Sequence, residues 1–370
     1  MIQDWFGLAV CLAGGVCQIA VGRRLKINPV LNGSAVGVAV ALQLTIREYL
    51  FPSLLDRLPI ALYYWVPSVL QTCFICLTSV WILVRLREHA PPFRESRRRF
   101  LRASGAAVCA APPAVALFGI LTRNDFEVKE QSLVIPNLAA DLRGLRIVHF
   151  SDLHVGPFFS LRQWERVIDA ANEFRADLAF VTGDLITTAR DPLEECIQRM
   201  AGIKATAGIY GCHGNHEEFC GLTGYATRLG ERFGIRFLRR EAVALRFGEH
   251  TMNLVGVDYQ PFRTPYLTDV ESMVSATDLN VLLSHNPDVF PVAAEMGFDL
   301  VLSGHTHGGQ VNVEILHQQL DIARFFTPYV KGLYRQGGSS AYVSAGLGTI
   351  GIPVRLGARP EVTLHTLCAS

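Results

Sequence analysis

The sequence has almost no surplus of charge: 34 lysines and arginines stand against 33 aspartates and glutamates, a formal net charge of +1. That balance excludes the broad basic footprint of a general nucleic-acid binder, and no nucleic-acid partner is expected. A disulfide framework is also lacking, because the nine cysteines have no recurring spacing and five of them lie in the apolar first third. Cys73-x-x-Cys76 falls inside a membrane-like run with no second pair beside it, so it reads as packing rather than as zinc or redox chemistry. Cys212 and Cys220 leave pairing open, since spacing alone fixes no geometry. No internal repeat or low-complexity segment interrupts the chain, which excludes a repeat architecture.

Half of the 370 residues are hydrophobic and the mean hydropathy is +0.26, but this average covers two unlike parts. Residues 1–122 hold four apolar runs, Trp5–Val21, Ile27–Ile46, Ile60–Val84 and Ala103–Leu121, each free of charged residues. Their length suits a hydrocarbon core, so they predict an all-α transmembrane region of about four helices in contact with membrane lipids. Asn28, Pro29, Asn32 and Gln43 dilute the second run and leave a shorter or re-entrant segment open there. Arg23-Arg24-Leu25-Lys26 and the arginine-dense stretch 85–102 are basic, whereas the connector from Arg47 to Arg57 balances its charges. With the basic connectors in the cytoplasm, the N-terminus and everything after Leu121 lie outside. The expectation is a multi-pass protein of a bacterial-type cytoplasmic membrane with an extracytoplasmic catalytic domain. Ser96-Arg-Arg-Arg-Phe-Leu-Arg102 is twin-arginine-like, and reads either as an export signal or as a plain basic anchor; both put the domain on that same side.

From residue 123 the composition is that of a domain able to bury its own core. Apolar strand-like runs alternate with amphipathic stretches, an α/β pattern. Phe126–Ile135 alternates like an edge strand, and Ser160 reads as the N-cap of a helix burying Leu161, Trp164, Val167, Ile168, Ala171 and Phe174. Further helices are expected over 192–200, 222–233, 269–276 and 289–296, with a hairpin turn at Gly248-Glu249-His250.

Five of the apolar runs end in loops that concentrate histidine, carboxylate and glycine. In chain order these are Asp152-Leu-His154, Gly183-Asp184, Gly214-Asn215-His216-Glu217, Ser284-His285-Asn286 and Gly304-His305-Thr-His307-Gly308-Gly309. Imidazoles one residue apart on a turn can face neighbouring cations, and the glycines let backbone approach them without Cβ clashes. Repeated at five strand ends, the pattern points to a metal centre.

In this order and spacing the loops resemble the calcineurin-like metallophosphoesterase superfamily over about residues 124–370. The resemblance implies an α/β fold for residues 123–370, a four-layer α/β/β/α sandwich with two divalent metal ions at the strand ends. It assigns Asp152, His154, Asp184 and His307 to one ion, and Asp184, Asn215, His285 and His305 to the other. Asp184 would bridge them, with hydroxide between the ions attacking phosphorus. His216 matches the family's non-ligand histidine, which protonates or steadies the leaving oxygen; a ring that only orients Asn215 is the alternative. Oxygen and nitrogen donors without thiolate suit manganese, iron or zinc and do not choose among them.

Arg355, in a glycine-rich C-terminal segment, reads equally as a bidentate phosphate contact and as a structural ion pair. His213 has no role in the pattern and reads as a solvated loop position, while His149 reads as packed beside its strand. The aromatic-rich stretches 257–275 and 315–338 are expected to rim the pocket. The expected activity is hydrolysis of a phosphomonoester, phosphodiester or pyrophosphate on a lipid-linked or envelope substrate. Two readings compete with it. One is a UDP-2,3-diacylglucosamine-type pyrophosphatase of lipid A synthesis, whose substrate is made on the cytoplasmic side, against the topology above. The other is a non-catalytic metal-binding scaffold, whose mark would be missing ligands. The oligomeric state is not set by the sequence.

Overall fold

A computed structural model of the chain describes residues 19–20, 23, 117–261, 265–315 and 318–370. The expected spans fall outside these residues except for a few positions of the first and the end of the fourth, where residues 117–122 are helical. No helix among the described residues is long and apolar enough to cross a membrane. The chain divides into two units, residues 1–121 with 351–354, and residues 122–350 with 355–370. The larger unit contains two mixed sheets.

The first sheet has the order β1-β14-β2-β3-β4-β5, built from β1 (Glu127–Ile135), β2 (Arg146–Phe150), β3 (Leu178–Thr182), β4 (Ile209–Cys212), β5 (Ile235–Phe237) and β14 (Glu361–Ala369). Strands β2 to β5 are parallel, and β14 enters between β1 and β2, parallel to the former and antiparallel to the latter. The second sheet has the order β12-β13-β9-β8-β7-β6, from β6 (Glu241–Phe247), β7 (His250–Gly256), β8 (Leu279–Leu283), β9 (Leu300–Ser303), β12 (Gly332–Gln336) and β13 (Ser339–Val343). A separate hairpin joins β10 (Asn312–Ile315) and β11 (Gln318–Asp321). Gly248 has φ +59 at the first position of the two-residue turn between β6 and β7, a backbone that glycine adopts without strain.

Side-chain alternation explains the layering. In β3, Leu178 and Phe180 enter a core shared with Leu254, Val281, Leu283 and Leu302 of the second sheet. Ala179 and Val181 turn to the opposite face, against Trp164, Val167 and Ile197. Both faces of the strand are covered, which is why its sequence is a continuous apolar run rather than an alternating one. The helices on that face are α1 (Leu161–Asn172), α2 (Leu193–Met200) and α4 (Thr223–Arg232), with the one-turn α3 (Asn215–Phe219) before α4. Ser160 caps α1 through Gln163 in a reciprocal capping box. On the far face of the second sheet, α5 (Phe290–Met296) packs Phe290 and Ala293 against Leu282 and Val301. The layer order is therefore helices, sheet, sheet, helix.

The expected helix over 269–276 is absent: only Glu271–Met273 makes a 3-10 turn. Leu267 and Asp269 adopt positive φ, and Ser275 and Asn280 divert the local backbone into side-chain hydrogen bonds. The strands β5, β11 and β12 were not expected; β5 has only three residues, too few to show a period.

The interior between the sheets is not wholly apolar. His149 and His365 are fully buried there, with His149 Nε2 2.9 Å from the Thr182 hydroxyl and its Nδ1 3.4 Å from His365 Nε2. Burial pushes His149 down to about 3 and His365 well below the usual histidine range. Both rings stay neutral in the folded chain but take protons once unfolded near pH 6.5. Stability should be fully present above that pH and fall as acid is added, by about 1.4 kcal/mol per pH unit for each ring. Urea unfolding of His365→Leu should therefore show a shallower loss between pH 6.5 and 5 than the parent chain. Identical slopes would contradict this account.

Candidate metal centre

All five histidine- and carboxylate-bearing loops leave the carboxyl ends of parallel strands: β2, β3 and β4 in one sheet, β8 and β9 in the other. The open end of parallel strands is where loops from several elements converge. The convergence here is tight enough to strain the chain. Asp152, His154, Asp184, His305 and His307 all have positive φ, between 43° and 76°, a region that non-glycine residues occupy at a cost. A Cβ at Gly304 would overlap the Ser151 hydroxyl and the Asp152 carboxylate, so only glycine lets the fifth loop lie on the first.

Two donor sets result. Asp152, His154, Asp184 and His307 place one nitrogen or oxygen each within 4.8 Å of one another, and Asp184, His285 and His305 do the same. Asp184 belongs to both: its Oδ2 lies 3.4 Å from His154 Nε2 and 3.2 Å from His285 Nε2. The Asn215 carbonyl oxygen joins the second set at 3.1 Å from His285 Nε2. His305 presents Nδ1, 3.2 Å from His285 Nε2, whereas His307 presents Nε2, 3.1 Å from His154 Nε2. The donors are carboxylate, amide carbonyl and imidazole, with no thiolate, a set that fits divalent manganese, iron or zinc.

The outer contacts fix which nitrogens face inward. His285 Nδ1 donates to the Thr182 carbonyl at 2.6 Å, which leaves its Nε2 lone pair for the centre. His154 Nδ1 meets the Thr187 hydroxyl at 2.9 Å. Asp152 accepts the His305 backbone N–H at 3.0 Å, binding the first loop to the fifth. Burial opposes charge on His285, yet the adjacent Asp184 carboxylate lifts it to about 9, while the surrounding imidazoles hold Asp184 well below the usual carboxylate range. In the same cluster burial and the neighbouring imidazoles push His305 down to about 3 and His307 well below the usual histidine range, so those two rings stay neutral.

His216 lies at the edge of the same cluster. Its Nδ1 donates to the Thr187 carbonyl at 2.7 Å, its ring stands edge-on to His154 with centroids 4.8 Å apart, and its backbone N–H reaches Asp184 Oδ1 at 2.9 Å.

Two positions have surroundings that the sequence did not show. His213 is buried rather than solvated, stacked on Phe237 at 4.8 Å and bonded to the Thr227 hydroxyl at 2.8 Å. Arg355 is only 3% exposed, and its guanidinium is occupied by backbone carbonyls: Gly348, Ala345 at 2.8 Å, Ala358 at 3.1 Å and His307 at 3.4 Å. It sits behind His307, with Nη2 3.4 Å from His307 Nδ1. The expected alternatives for it were a phosphate contact and an ion pair, and these carbonyl contacts belong to neither.

Glu217, which the sequence reading also left without a role, has one in the fold. It is fully buried and accepts N–H groups from Gly214 at 2.8 Å, Asp184 at 2.9 Å and Leu185 at 2.7 Å. One carboxylate thus fastens the second loop to the third and orients the backbone that carries Asp184. Its signal was available as the acidic residue three positions after Gly214 at the start of a helical turn.

Residues 145–309 match the calcineurin-like phosphoesterase family, a span that contains every residue of both donor sets. This chain carries a calcineurin-like metallophosphoesterase domain. It is 28% identical over 283 residues to the uncharacterized metallophosphoesterase YkuE of Bacillus subtilis, covering 74% of this chain and 97% of that one. The uncharacterized metallophosphoesterase Cj0846 of Campylobacter jejuni is 30% identical over 244 residues, 65% of this chain and 63% of its own length, so this chain spans less than two thirds of it. A transmembrane protein with metallophosphoesterase domain from Bos taurus is 26% identical over 324 residues, 82% of this chain and 72% of that one. The metallophosphoesterase domain has a potential metal-binding site at Asp152, His154, Asp184 and His307.

The Glu217 anchor is testable on stability. Glu217→Gln turns an amide N–H towards groups that already donate, and should cost about 1–3 kcal/mol in chemical denaturation. Glu218→Gln, at the exposed neighbouring position, should change stability by less than about 0.5 kcal/mol. Equal effects at the two sites would remove the anchoring role.

Proposed function

We propose that the domain is a binuclear-metal phosphohydrolase, cleaving a phosphomonoester, phosphodiester or pyrophosphate bond. The observation that carries this reading is the pair of donor sets sharing Asp184. Asp152, His154, Asp184 and His307 would hold one divalent ion, and Asp184, Asn215, His285 and His305 the other. When bound, such a pair of ions supplies a hydroxide-like nucleophile from water near neutral pH and neutralises charge on the phosphoryl oxygens.

The chain's own groups then have distinct tasks. Asp184, between His154 and His285, offers its carboxylate to both sites. Glu217 holds the backbone of that carboxylate in place. His216, whose Nδ1 is committed to the Thr187 carbonyl, has Nε2 left for the leaving oxygen. In the net reaction a P–O bond to water oxygen forms, the ester P–O bond breaks, and the departing oxygen takes a proton delivered at His216. Arg355, caged by carbonyls behind His307, acts as a positioning residue for that loop.

Asp184→Asn tests the shared carboxylate. The variant should lose most of both metal equivalents by elemental analysis and at least about a thousandfold in hydrolysis of an aryl phosphodiester, since the charge that compensates both ions is gone. Retention of two equivalents, or activity indifferent to chelators in the parent, would sink the reading.

We further infer a membrane-anchored enzyme with its catalytic domain on the extracytoplasmic side, acting on a lipid-linked or envelope phosphoester. Support comes from the four charge-free runs and the alternation of arginine-rich connectors. Leu117, Phe118 and Leu121, at the described end of the fourth run, expose 56–73% of their surface. The bovine match covers 82% of the chain, more than the part that follows residue 122, and so reaches into the apolar third of a chain aligned with a protein named as transmembrane. Protease should remove a C-terminal tag in intact spheroplasts and leave it intact in inverted vesicles. The reverse pattern would favour a cytoplasmic nucleotide-linked lipid substrate.

A further inference from the structure

One side chain beside the centre has no part in the roles above. Phe219 closes helix α3 three residues after His216, with ring centroids 6.1 Å apart, yet it is 71% exposed. Nearby phenylalanines of the same region take the usual course: Phe237 is buried and Phe233 packs against the helical core. Phe219 instead touches Tyr259, at 6.2 Å and an interplanar angle of 79°. Tyr259 in turn lies 5.7 Å from the His305 ring and 6.2 Å from the His285 ring. The rings form an unbroken arc from solvent to the second donor set, with His216 bordering its outer end.

The geometry leaves aromatic surface open where a third ring can pack. Edge-to-face pairing of Phe219 with Tyr259 occupies one contact of each ring, and aromatic groups favour such offset or perpendicular neighbours. Charge confines this surface. Glu218 precedes Phe219 and is exposed, while Asp258 precedes Tyr259 and is paired with Arg239 at 2.7 Å. An acyl chain needs a long apolar trough; an aromatic patch bounded by charged groups suits a flat group with polar edges.

We infer that Phe219 and Tyr259 are specificity-determining residues, a platform for a planar aromatic or heteroaromatic group attached to the phosphorus on the leaving-oxygen side. This rests on the phosphohydrolase reading, because it is the role of His216 that identifies that side. The substrate class is then an aryl or nucleoside phosphoester or pyrophosphate. A lipid carried on the same molecule would attach through the other side of the phosphorus.

The test is calorimetric and needs no turnover. The full chain, purified in detergent and loaded with manganese, is titrated with phenyl phosphate, methyl phosphate and octyl phosphate, each supplied as its P–C-linked phosphonate analogue, which phosphoester hydrolysis does not cleave. The parent should bind phenyl phosphate about tenfold more tightly than methyl phosphate, the scale of one aromatic stacking contact. Phe219→Ala should abolish that preference while leaving the methyl phosphate affinity in place, and Phe219→Trp should keep it. Equal affinities in the parent, a preference that survives Phe219→Ala, or octyl phosphate binding more tightly than phenyl phosphate would each overturn the platform. Failure of all three phosphates to bind the metal-loaded chain would instead bring down the phosphohydrolase reading, and the platform with it.

Discussion

One buried carboxylate organises the centre. Asp184 is 2% exposed and stands between imidazoles from both sheets, so its charge must be met inside the protein rather than by water. Asp152 and Glu217 are buried nearby, which concentrates acidic groups in a dry region. Glu217 is met by backbone N–H groups, and Asp152 by the His305 N–H and the neighbouring rings. The remaining demand for positive charge falls between the imidazoles, where nitrogens from different loops lie within about 3.2 Å of each other. Cations placed there would relieve the electrostatic cost that burial imposes.

That arrangement also accounts for the strained backbone. A residue at the end of a buried strand would ordinarily carry its side chain onward, away from the neighbouring strand ends. Turning through positive φ directs Asp152, His154, Asp184, His305 and His307 back towards a common centre. The cost of each turn is sustained by contacts that fix it: the Glu217 carboxylate for the Asp184 loop, and the Asp152 carboxylate for the His305 loop.

The ligand candidates were legible because each follows an apolar run, and the order of the loops carries more information than any one of them. The strand–helix alternation and the Ser160 cap were legible for the same reason: local periodicity and capping chemistry coincide with the fold. Burial of individual polar residues was not. His213 reads as a loop position until β5, too short to leave a pattern, brings Phe237 beneath its ring. Arg355 reads equally as a phosphate contact and as an ion pair, and neither reading contains the carbonyls that the chain around it supplies for its donors. Both outcomes depend on contacts between segments far apart in sequence, to which composition and spacing are blind. The expected helix at 269–276 failed for a local reason, side chains competing for the backbone, which weak apolar periodicity could not override.

The family match ends at residue 309, but the centre does not. Backbone N–H groups of Leu347 and Gly348 donate to the carbonyls of Ser151 and Asp152 and hold the first loop from above. Arg355 joins Gly348, Ala345 and Ala358 to His307, placing a permanent positive charge behind one donor set, where burial pulls the guanidinium down to about 10 and the Asp152 carboxylate opposes that shift. The last strand, β14, then inserts beside β2, the strand that delivers Asp152 and His154. The loop around Leu347, Gly348 and Arg355 and the strand β14 are therefore part of the apparatus that orients the first donor set, although they contribute none of its members. A chain cut after the matched span would keep all seven proposed ligands and lose the carbonyl and guanidinium contacts that hold two of their loops in strained conformations. Ligand identity alone does not make the site; the closing segment decides whether those residues face one another.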